Sequence, residues 1–531
     1  MCKKSFLFVC ILFLIKSELQ CQSWIRIYEG NTYIHACNVF ENYDKGYLIT
    51  GKRWNGNNQF GWLMKTNING YERWSKYYGK MGKRNAFTRS SLTLDGGSIC
   101  IGGSNKANQN CSDPLVVKLN ACGEKEWCKI YNSINCNSYG TDIATIPGGG
   151  YITLIIQWIN ASDVWLFRLD SLGEVIWTQN YVTNPNIFWC PYGEKLLSTF
   201  DSCILITGRA YTPDSLTPGY SLIKMFNVKV DLDGNSIFEL PWGMNNGLIS
   251  EGHQTVEDAN HRYYHAGRRV GTYPPTLDMP SMFRTSSGGT PIDYSDMRST
   301  GIATTINWLQ DSILVLGVDF QDYNGGDTVA VVEIDSSGNI IKTKTLISNE
   351  NIVFYGSDVT FDNKVILVGN TILNWQYSYL FKLNSDLEYD SIYTTPFTYD
   401  SLCLYPIVSY TIPLDDCEVV VVGIDESRQN PETTKLNIYP NPADDQITIE
   451  MPKYLVRKTS DPRITATTIY HKWKDVRLEV FDLYGKLMFC ETMLQQKKSI
   501  TLSVSSWSPG MYVARLVFMN EVVAKAKFVV E

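Results

Sequence analysis

The sequence gives a metal or cofactor little to hold. Its 531 residues include five histidines and 14 cysteines, but there is no Cys-x-x-Cys pair and no histidine stands with cysteines at zinc spacing, so a structural metal site has no support. No Gly-x-Ser-x-Gly elbow occurs and no glycine loop suited to phosphate is present, which removes the common signatures of hydrolases and nucleotide enzymes. No cofactor is therefore expected. Charged residues reach only 19%, with a net charge of −7. An acidic chain repels phosphate backbones, so nucleic acid is excluded as a partner.

Long apolar runs are also missing. Lys3 and Lys4 precede the stretch from Phe6 to Ile15, and a polar segment leads to a small residue at Cys21. That layout predicts a cleavable signal peptide over residues 1–21. At roughly ten residues the apolar stretch is too short for a bilayer, which needs about twenty. No later segment is long and apolar enough to be transmembrane, so an extracytoplasmic mature chain is expected.

Aromatics make up 13%, with 39 Gly and 20 Pro, a balance suited to many short strands joined by tight turns and hence to an all-β protein. The length exceeds what one core usually serves, so at least two domains are expected unless the fold is modular. Residues 435–531 hold 14 basic and 10 acidic side chains, a net +4, which leaves −11 to the rest. Eleven cysteines follow the expected cleavage point, and an odd number cannot all pair. Cys122 with Cys128, and Cys111 with Cys136, are candidate bridges.

Seven copies of one pattern fill the body. A charged residue, an apolar or small residue, an Asp, Asn, Ser or Thr, two variable positions and a turn residue recur at 65–70, 118–123, 168–173, 229–234, 284–289, 333–338 and 382–387, with turn positions 53, 50, 61, 55, 49 and 49 apart. About fifteen residues before each copy runs an apolar strand ending in Gly, as at Gly51, Gly208, Gly317 and Gly369. Three early copies are followed by Trp and Tyr four residues apart: Trp74 and Tyr78, Trp127 and Tyr131, Trp177 and Tyr181. Each unit reads as four antiparallel strands with the turn Gly at a positive-φ corner. A unit of that size that cannot bury both faces alone is a propeller blade.

Trp24 and Tyr28 carry the same spacing with no strands before them, while 403–412 and 418–423 resemble first and second strands with nothing after. Closure of a ring by the two termini predicts both orphans. Seven or eight blades fit this arithmetic.

Two groupings are candidates for function. His253, His261 and His265 lie within thirteen residues beside Glu251, Glu257 and Asp258; they suit either acid–base work or hydrogen bonding between blades. The loops after the second strands carry large aromatics, Trp54, Trp158, Tyr211, Tyr273, Tyr323 and Trp375, near Arg53, Arg209 and Arg268. Equivalent loops gather on one face of a propeller, where flat rings beside polar groups suit a glycan or a protein ligand.

The final hundred residues run from Tyr439-Pro440-Asn441-Pro442 through Asp482-Leu483-Tyr484-Gly485 and Pro509-Gly510 to Lys527-Phe528-Val529-Val530. This stretch resembles a type IX secretion C-terminal sorting domain, with Pro440, Asn441, Pro442, Gly485, Gly510 and Lys527 as its motif residues. The resemblance implies a small immunoglobulin-like β-sandwich, recognition by the type IX secretion machinery and delivery outside the cell. Residues 453–474 look inserted relative to that pattern. The expected organisation is a signal peptide 1–21, a propeller 22–428, a linker 429–434 and the sorting domain 435–531. The expected function is an exported binding module; the alternative is an extracellular glycan- or peptide-cleaving enzyme with carboxylates converging in the central funnel.

Overall fold

The computed structural model describes residues 24–421 and 434–531 apart from 30–32, 57, 106–111, 133–137, 148, 159–161, 183–188, 214–220, 243–248, 271–277, 298, 322–326, 349–350, 373–375, 452–454, 459–466, 471–475, 483–485, 494–497 and 519–520. The expected signal peptide thus lies outside the described residues. Every regular element among them is a strand, and the chain divides into two compact units, Met1–Gly423 and Ile424–Glu531.

The first unit is a seven-bladed β-propeller. In blade 1 the strands Ile34–Glu41, Tyr47–Asn55, Asn58–Thr66 and Glu72–Tyr78 pair antiparallel in chain order. Blades 2 to 6 repeat this over 85–132, 138–181, 189–241, 249–296 and 301–348. Blade 7 takes three strands from Ile352–Val359, Val365–Thr371 and Tyr377–Leu383. Its outermost strand is Ile25–Glu29, from the other end of the chain. The seam between blades 7 and 1 is sealed by the Glu41 N–H donating to Asp358 at 3.3 Å and the Phe361 N–H donating to Glu41 at 2.6 Å. Aliphatic faces of neighbouring blades form the core, as where Ile156 and Leu166 of blade 3 meet Ile204, Ile206 and Phe226 of blade 4. Each such side chain contributes about 1.5–3 kcal/mol by leaving water.

The repeat pattern has a local cause. The Asn or Asp that opens six of the seven corners accepts the backbone N–H groups two and four positions on, as Asn67 does from Asn69 and Tyr71 at 2.9 Å and Asp170 from Leu172 and Glu174 at 2.8 Å; in blade 5 Ser286 stands there and accepts the Thr290 N–H at 3.2 Å. The fourth position is then left-handed, φ +69° at Gly123 and +79° at Gly173, which glycine adopts at little cost. A second reason is space. A Cβ on Gly70, Gly123 or Gly173 would lie 2.8 Å from the ring of Trp24, Trp74 or Trp127. The hydroxyls of Tyr28, Tyr78 and Tyr131 donate to the carbonyls of those same glycines at 2.7, 2.7 and 2.8 Å. Trp and Tyr therefore clasp the outer strand of one blade onto the corner of the next.

After blade 7 the chain does not start an eighth blade. Residues 388–421 run back over blades 1 and 2 as a strap. Thr411–Ile412 pairs parallel with the outer strand of blade 1, and Glu418–Val421 with that of blade 2. Disulfides Cys122–Cys403 and Cys128–Cys417 fix it. The expectation of inner strands at 403–412 and 418–423 is thus corrected: Thr411–Ile412 and Glu418–Val421 cover outer edges that would otherwise stay open, and residues 422–423 lie outside the described residues. The expected Cys122–Cys128 bridge is corrected too, because each sulfur faces the strap. Cys111 and Cys136 lie outside the described residues.

The second unit is a β-sandwich. One sheet contains Glu521–Val530, Gly510–Phe518, Val476–Asp482 and Leu487–Met493, with Thr434–Lys435 at its edge; the other contains Asn437–Tyr439, Gln446–Glu450 and Ser499–Ser503. Ile447, Ile449, Leu478, Val480, Leu516 and Phe528 fill the space between them. Within the inserted stretch, Leu455–Lys458 and Thr467–Tyr470 pair as a separate hairpin.

Candidate functional site

All seven inner strands carry a β-bulge at the same height. The register jumps between Ala36 and Asn38, Phe87 and Arg89, Gly140 and Asp142, Gly193 and Lys195, Gly252 and Gln254, Ala303 and Thr305, and Phe354 and Gly356. The extra residues are Cys37, Thr88, Thr141, Glu194, His253, Thr304 and Tyr355. Opposite the bulge, six of the seven second strands place a glycine. A Cβ there would meet the bulged strand's backbone oxygen at 2.0 Å for Gly51, 1.9 Å for Gly102, 2.1 Å for Gly208 and 1.9 Å for Gly267. The glycine that ends each apolar run in the sequence is thus the mark of a bulge across from it, and bulges re-aim side chains.

The re-aimed side chains meet around the axis. Arg89 Nη1 donates to the Cys37 carbonyl at 2.6 Å, Thr88 to the Gly140 carbonyl at 2.6 Å, and Gln254 to the Ile306 carbonyl at 2.9 Å, each to an adjacent blade. The densest group spans blades 4 and 5. Glu251 accepts from Arg268 at 2.8 and 2.9 Å and from Arg209 at 2.9 Å, while Arg209 lies 3.8 Å from Glu194. Burial pulls the Glu251 carboxyl upward, but its hydrogen bonds to Arg268 and the Arg209 charge outweigh that and hold it below the usual range. Glu194 lacks such bonds, and burial pushes it up to about 7. Its neighbour Lys195 is pulled down to about 8, first by burial and then by Arg89.

A thiol–imidazole pair also occurs here, with His35 Nδ1 and Cys37 Sγ 3.1 Å apart. Burial pushes the thiol up and, helped by Lys52 and Arg89, drives the imidazole well down. Both groups are neutral, so the pair lacks the thiolate that a nucleophile requires.

The three grouped histidines part company. His253 is a bulge residue at the axis, pushed down to about 4 by burial, with Nε2 unpartnered. His265 is fully buried between the hydroxyls of Thr255 at 2.7 Å and Thr285 at 3.0 Å. His261 sits in a turn with φ +59° and bonds Glu257 at 2.8 Å. That turn keeps His261 off the strand that carries His265, which begins at Tyr263. Among the described residues no group of three His, Cys, Asp or Glu side chains could hold a metal ion.

Of the loop aromatics, Trp54 and Tyr211 have described side chains. Tyr211 is exposed near the end of a second strand. Trp158 ends another such strand, its side chain outside the description, and Tyr273, Tyr323 and Trp375 lie outside the described residues. Trp54 lines a cleft of about 540 Å³ with Arg53, Phe60, Tyr77, Lys80, Met81 and, from the strap, Thr411, Pro413 and Asp415. Arg53 donates to the Tyr77 hydroxyl at 2.5 Å, Lys80 pairs with Asp415 at 3.0 Å, and Tyr33 meets the Trp54 ring edge-on at 5.7 Å. The sequence marked Trp54 but not its strap neighbours, which are more than 350 positions away.

In the second unit, distant motif residues meet at one end of the sandwich. Asn441 accepts the Val529 N–H at 2.8 Å, Ala443 exchanges backbone bonds with Val529 and Glu531 at 2.9 and 3.0 Å, and Gly510 pairs with Val530. The peptide bonds before Pro440 and Pro442 are cis. Lys527 lies across from Val513 on the C-terminal strand, and Gly485 is outside the described residues.

Residues 437–531 match the family described as the secretion system C-terminal sorting domain. The chain therefore carries a type IX sorting tail that engages the type IX secretion machinery, and it is a secreted or cell-surface protein. Comparison with curated proteins gives no match. Among solved structures it is similar to PorZ, a bacterial surface component of the type IX system of Porphyromonas gingivalis, at 11% identity and TM-score 0.36, covering 92% of this chain and 69% of that one. It is also similar to the polysaccharide lyase Uly1, at 10% identity and TM-score 0.43 over 70% and 94%. A third is the β-propeller domain of the Trilobed protease from Pyrococcus furiosus, at 13% identity and TM-score 0.37 over 68% and 100%. The fold assignment rests on the strand pairing itself.

Proposed function

We propose that this exported propeller is a binding module that takes a saccharide in the cleft at the rim of blade 1. The observation that carries the reading is the composition of that cleft: the Trp54 indole, with Phe60 and Tyr77, beside the polar groups of Arg53, Lys80, Thr411 and Asp415 in about 540 Å³. Rings of this kind stack on the apolar faces of sugars while nearby donors and acceptors fix the hydroxyls. The strap forms one wall, so the disulfides that hold it also hold the site.

The full chain should be retained on a glycan array, and Trp54→Ala should lower that retention by about tenfold or more without moving the melting temperature, since the ring is only half-buried. Equal retention by the variant, or capture by proteins alone in a parallel pull-down, would refute the saccharide reading.

The competing reading is a glycan- or peptide-cleaving enzyme. Glu194 and Glu251 favour it in one respect, because neighbouring carboxyls with separated protonation states suit acid–base work. Against it, Glu251 is occupied by two guanidinium groups, leaving Glu194 without a free carboxylate partner. Release of reducing ends or new amines by the purified chain, lost in Glu194→Gln, would reverse this preference.

A further inference from the structure

Charge is unevenly answered in blade 1. From Ile34 to Arg84 the chain contains nine lysines and arginines. Five of them, Lys45, Lys65, Arg73, Lys76 and Lys80, stand in ion pairs with carboxylates. The other four, Lys52, Arg53, Lys83 and Arg84, have no carboxylate within ion-pair distance among the described residues, and they gather around the Trp54 cleft. A patch of one sign beside a concave site draws ligands of the opposite sign.

Arg53 belongs to the cleft wall. Its Nη1 donates to the Tyr77 hydroxyl and its guanidinium lies 5.3 Å from the Tyr77 ring centre, which fixes its direction. The Nε–Nη2 edge is not buried and donates to nothing among the described residues. Arg268 shows what such an edge does when filled: its Nε and Nη2 reach the two oxygens of Glu251 at 2.9 and 2.8 Å. Lys52 Nζ lies 5.7 Å from the Trp54 ring centre. Lys83 and Arg84 follow Lys80 and Met81 in the connection that forms another wall. That connection is pinned beside the ring, because the Gly82 N–H donates to Asn58 at 2.6 Å and Arg84 bridges Gln59, whose partner across the hairpin is Trp54. Asp415 is the one carboxylate lining the cleft, and Lys80 already takes it at 3.0 Å. Glu72 feels the Arg53 charge from beyond ion-pair reach.

Resting on the reading of this cleft as a saccharide site, we propose that the saccharide is acidic, a chain bearing carboxylate or sulfate groups. The free edge of Arg53 grips two oxygens of one acid group, the geometry a guanidinium fork matches best. Lys52, Lys83 and Arg84 supply charge for its neighbours along the chain. A neutral sugar would use the Trp54 ring and none of this charge.

The test is calorimetric titration of the full chain with tetragalacturonate and its methyl ester, with sulfated cellotetraose and cellotetraose, and with tetraglutamate. At least one acidic sugar should bind about tenfold or more tighter than its neutral counterpart, and the tighter of the two identifies the acid group. That preference should shrink as NaCl rises from about 0.05 to about 0.5 M, because screening weakens exposed charge. Arg53→Gln should reduce the preference by about tenfold, and Arg53→Lys, which keeps the charge without the fork, should recover only part of it. Replacing Lys52, Lys83 and Arg84 together by Gln, which breaks no ion pair, should flatten the salt dependence. Equal affinity for acidic and neutral sugars, both lost in Trp54→Ala, would overturn the proposal and leave the saccharide reading standing. A folded Arg53→Gln chain with the parent's preference would overturn it too. Failure of every sugar to bind would overturn both readings, and tighter binding of tetraglutamate than of either acidic sugar would assign the cleft to an acidic peptide instead.

Discussion

Two atoms decide each clasped corner, the hydrogen where a Cβ would stand on glycine and the tyrosine hydroxyl from the preceding blade. Tyr131→Phe removes one hydrogen bond and leaves the Gly173 carbonyl without its donor, so a loss of about 1 kcal/mol is expected. Gly173→Ala should cost more, about 1–3 kcal/mol, since it meets both a left-handed backbone and the Trp127 ring; urea midpoints of the two variants give the order. Buried titratable groups make stability depend on pH with opposite signs. His265 is pushed down to about 3 by burial, so the unfolded chain takes up its proton first, and stability falls as pH drops from 6.5 toward 3 by about 1.4 kcal/mol per unit. Glu194, pushed up to about 7, holds its proton better in the folded state, and its contribution fades as pH rises from 4.5 through 7. His265→Gln should therefore shrink the difference between urea midpoints at pH 5 and pH 7, although it lowers both.

Among the elements, the strap depends most on covalent support. It adds only short parallel pairings to blades 1 and 2, but its disulfides close separations of 281 and 289 residues. Breaking a link of that kind costs about 2–5 kcal/mol. Cys403→Ser with Cys417→Ser should loosen residues 388–421 before the blades, visible as early proteolytic cleavage in that segment and as lost retention through the Trp54 cleft. The inner strands show how far sequence reading reached. Terminal glycines such as Gly51 and Gly208 were legible as strand ends, but a single chain does not reveal which strand lies across from them. The bulges, and with them Glu194, Lys195 and Arg89, passed unnoticed although their marker was in view.

At the scale of the whole molecule, closure and export are separable. Trp24 and Tyr28 clasp Gly70 from the outermost strand of blade 7, so Trp24→Ala strikes the seam of the ring, not an isolated side chain. Its melting temperature should fall further than that of Trp177→Ala, whose ring is only partly buried. Deleting residues 437–531 should leave that melting temperature in place while abolishing delivery outside the cell, measured by fractionation, because the two compact units hold separate cores. A deletion that unfolded the propeller would show the units to be interdependent.

Local chemistry settled much of this protein in advance. Asn or Asp followed by a left-handed glycine builds the same corner wherever it occurs, because its hydrogen bonds close within five residues, and seven copies of the repeat, the early ones followed by a Trp–Tyr pair, announce a propeller from the chain alone. The tail motif announced export in the same way. What the tertiary structure decided involves partners hundreds of positions apart: that the seventh repeat borrows its outer strand from the beginning, and that Cys403 and Cys417 reach blade 2. Those pairings follow from ring closure, which brings distant segments together by geometry that no local pattern encodes.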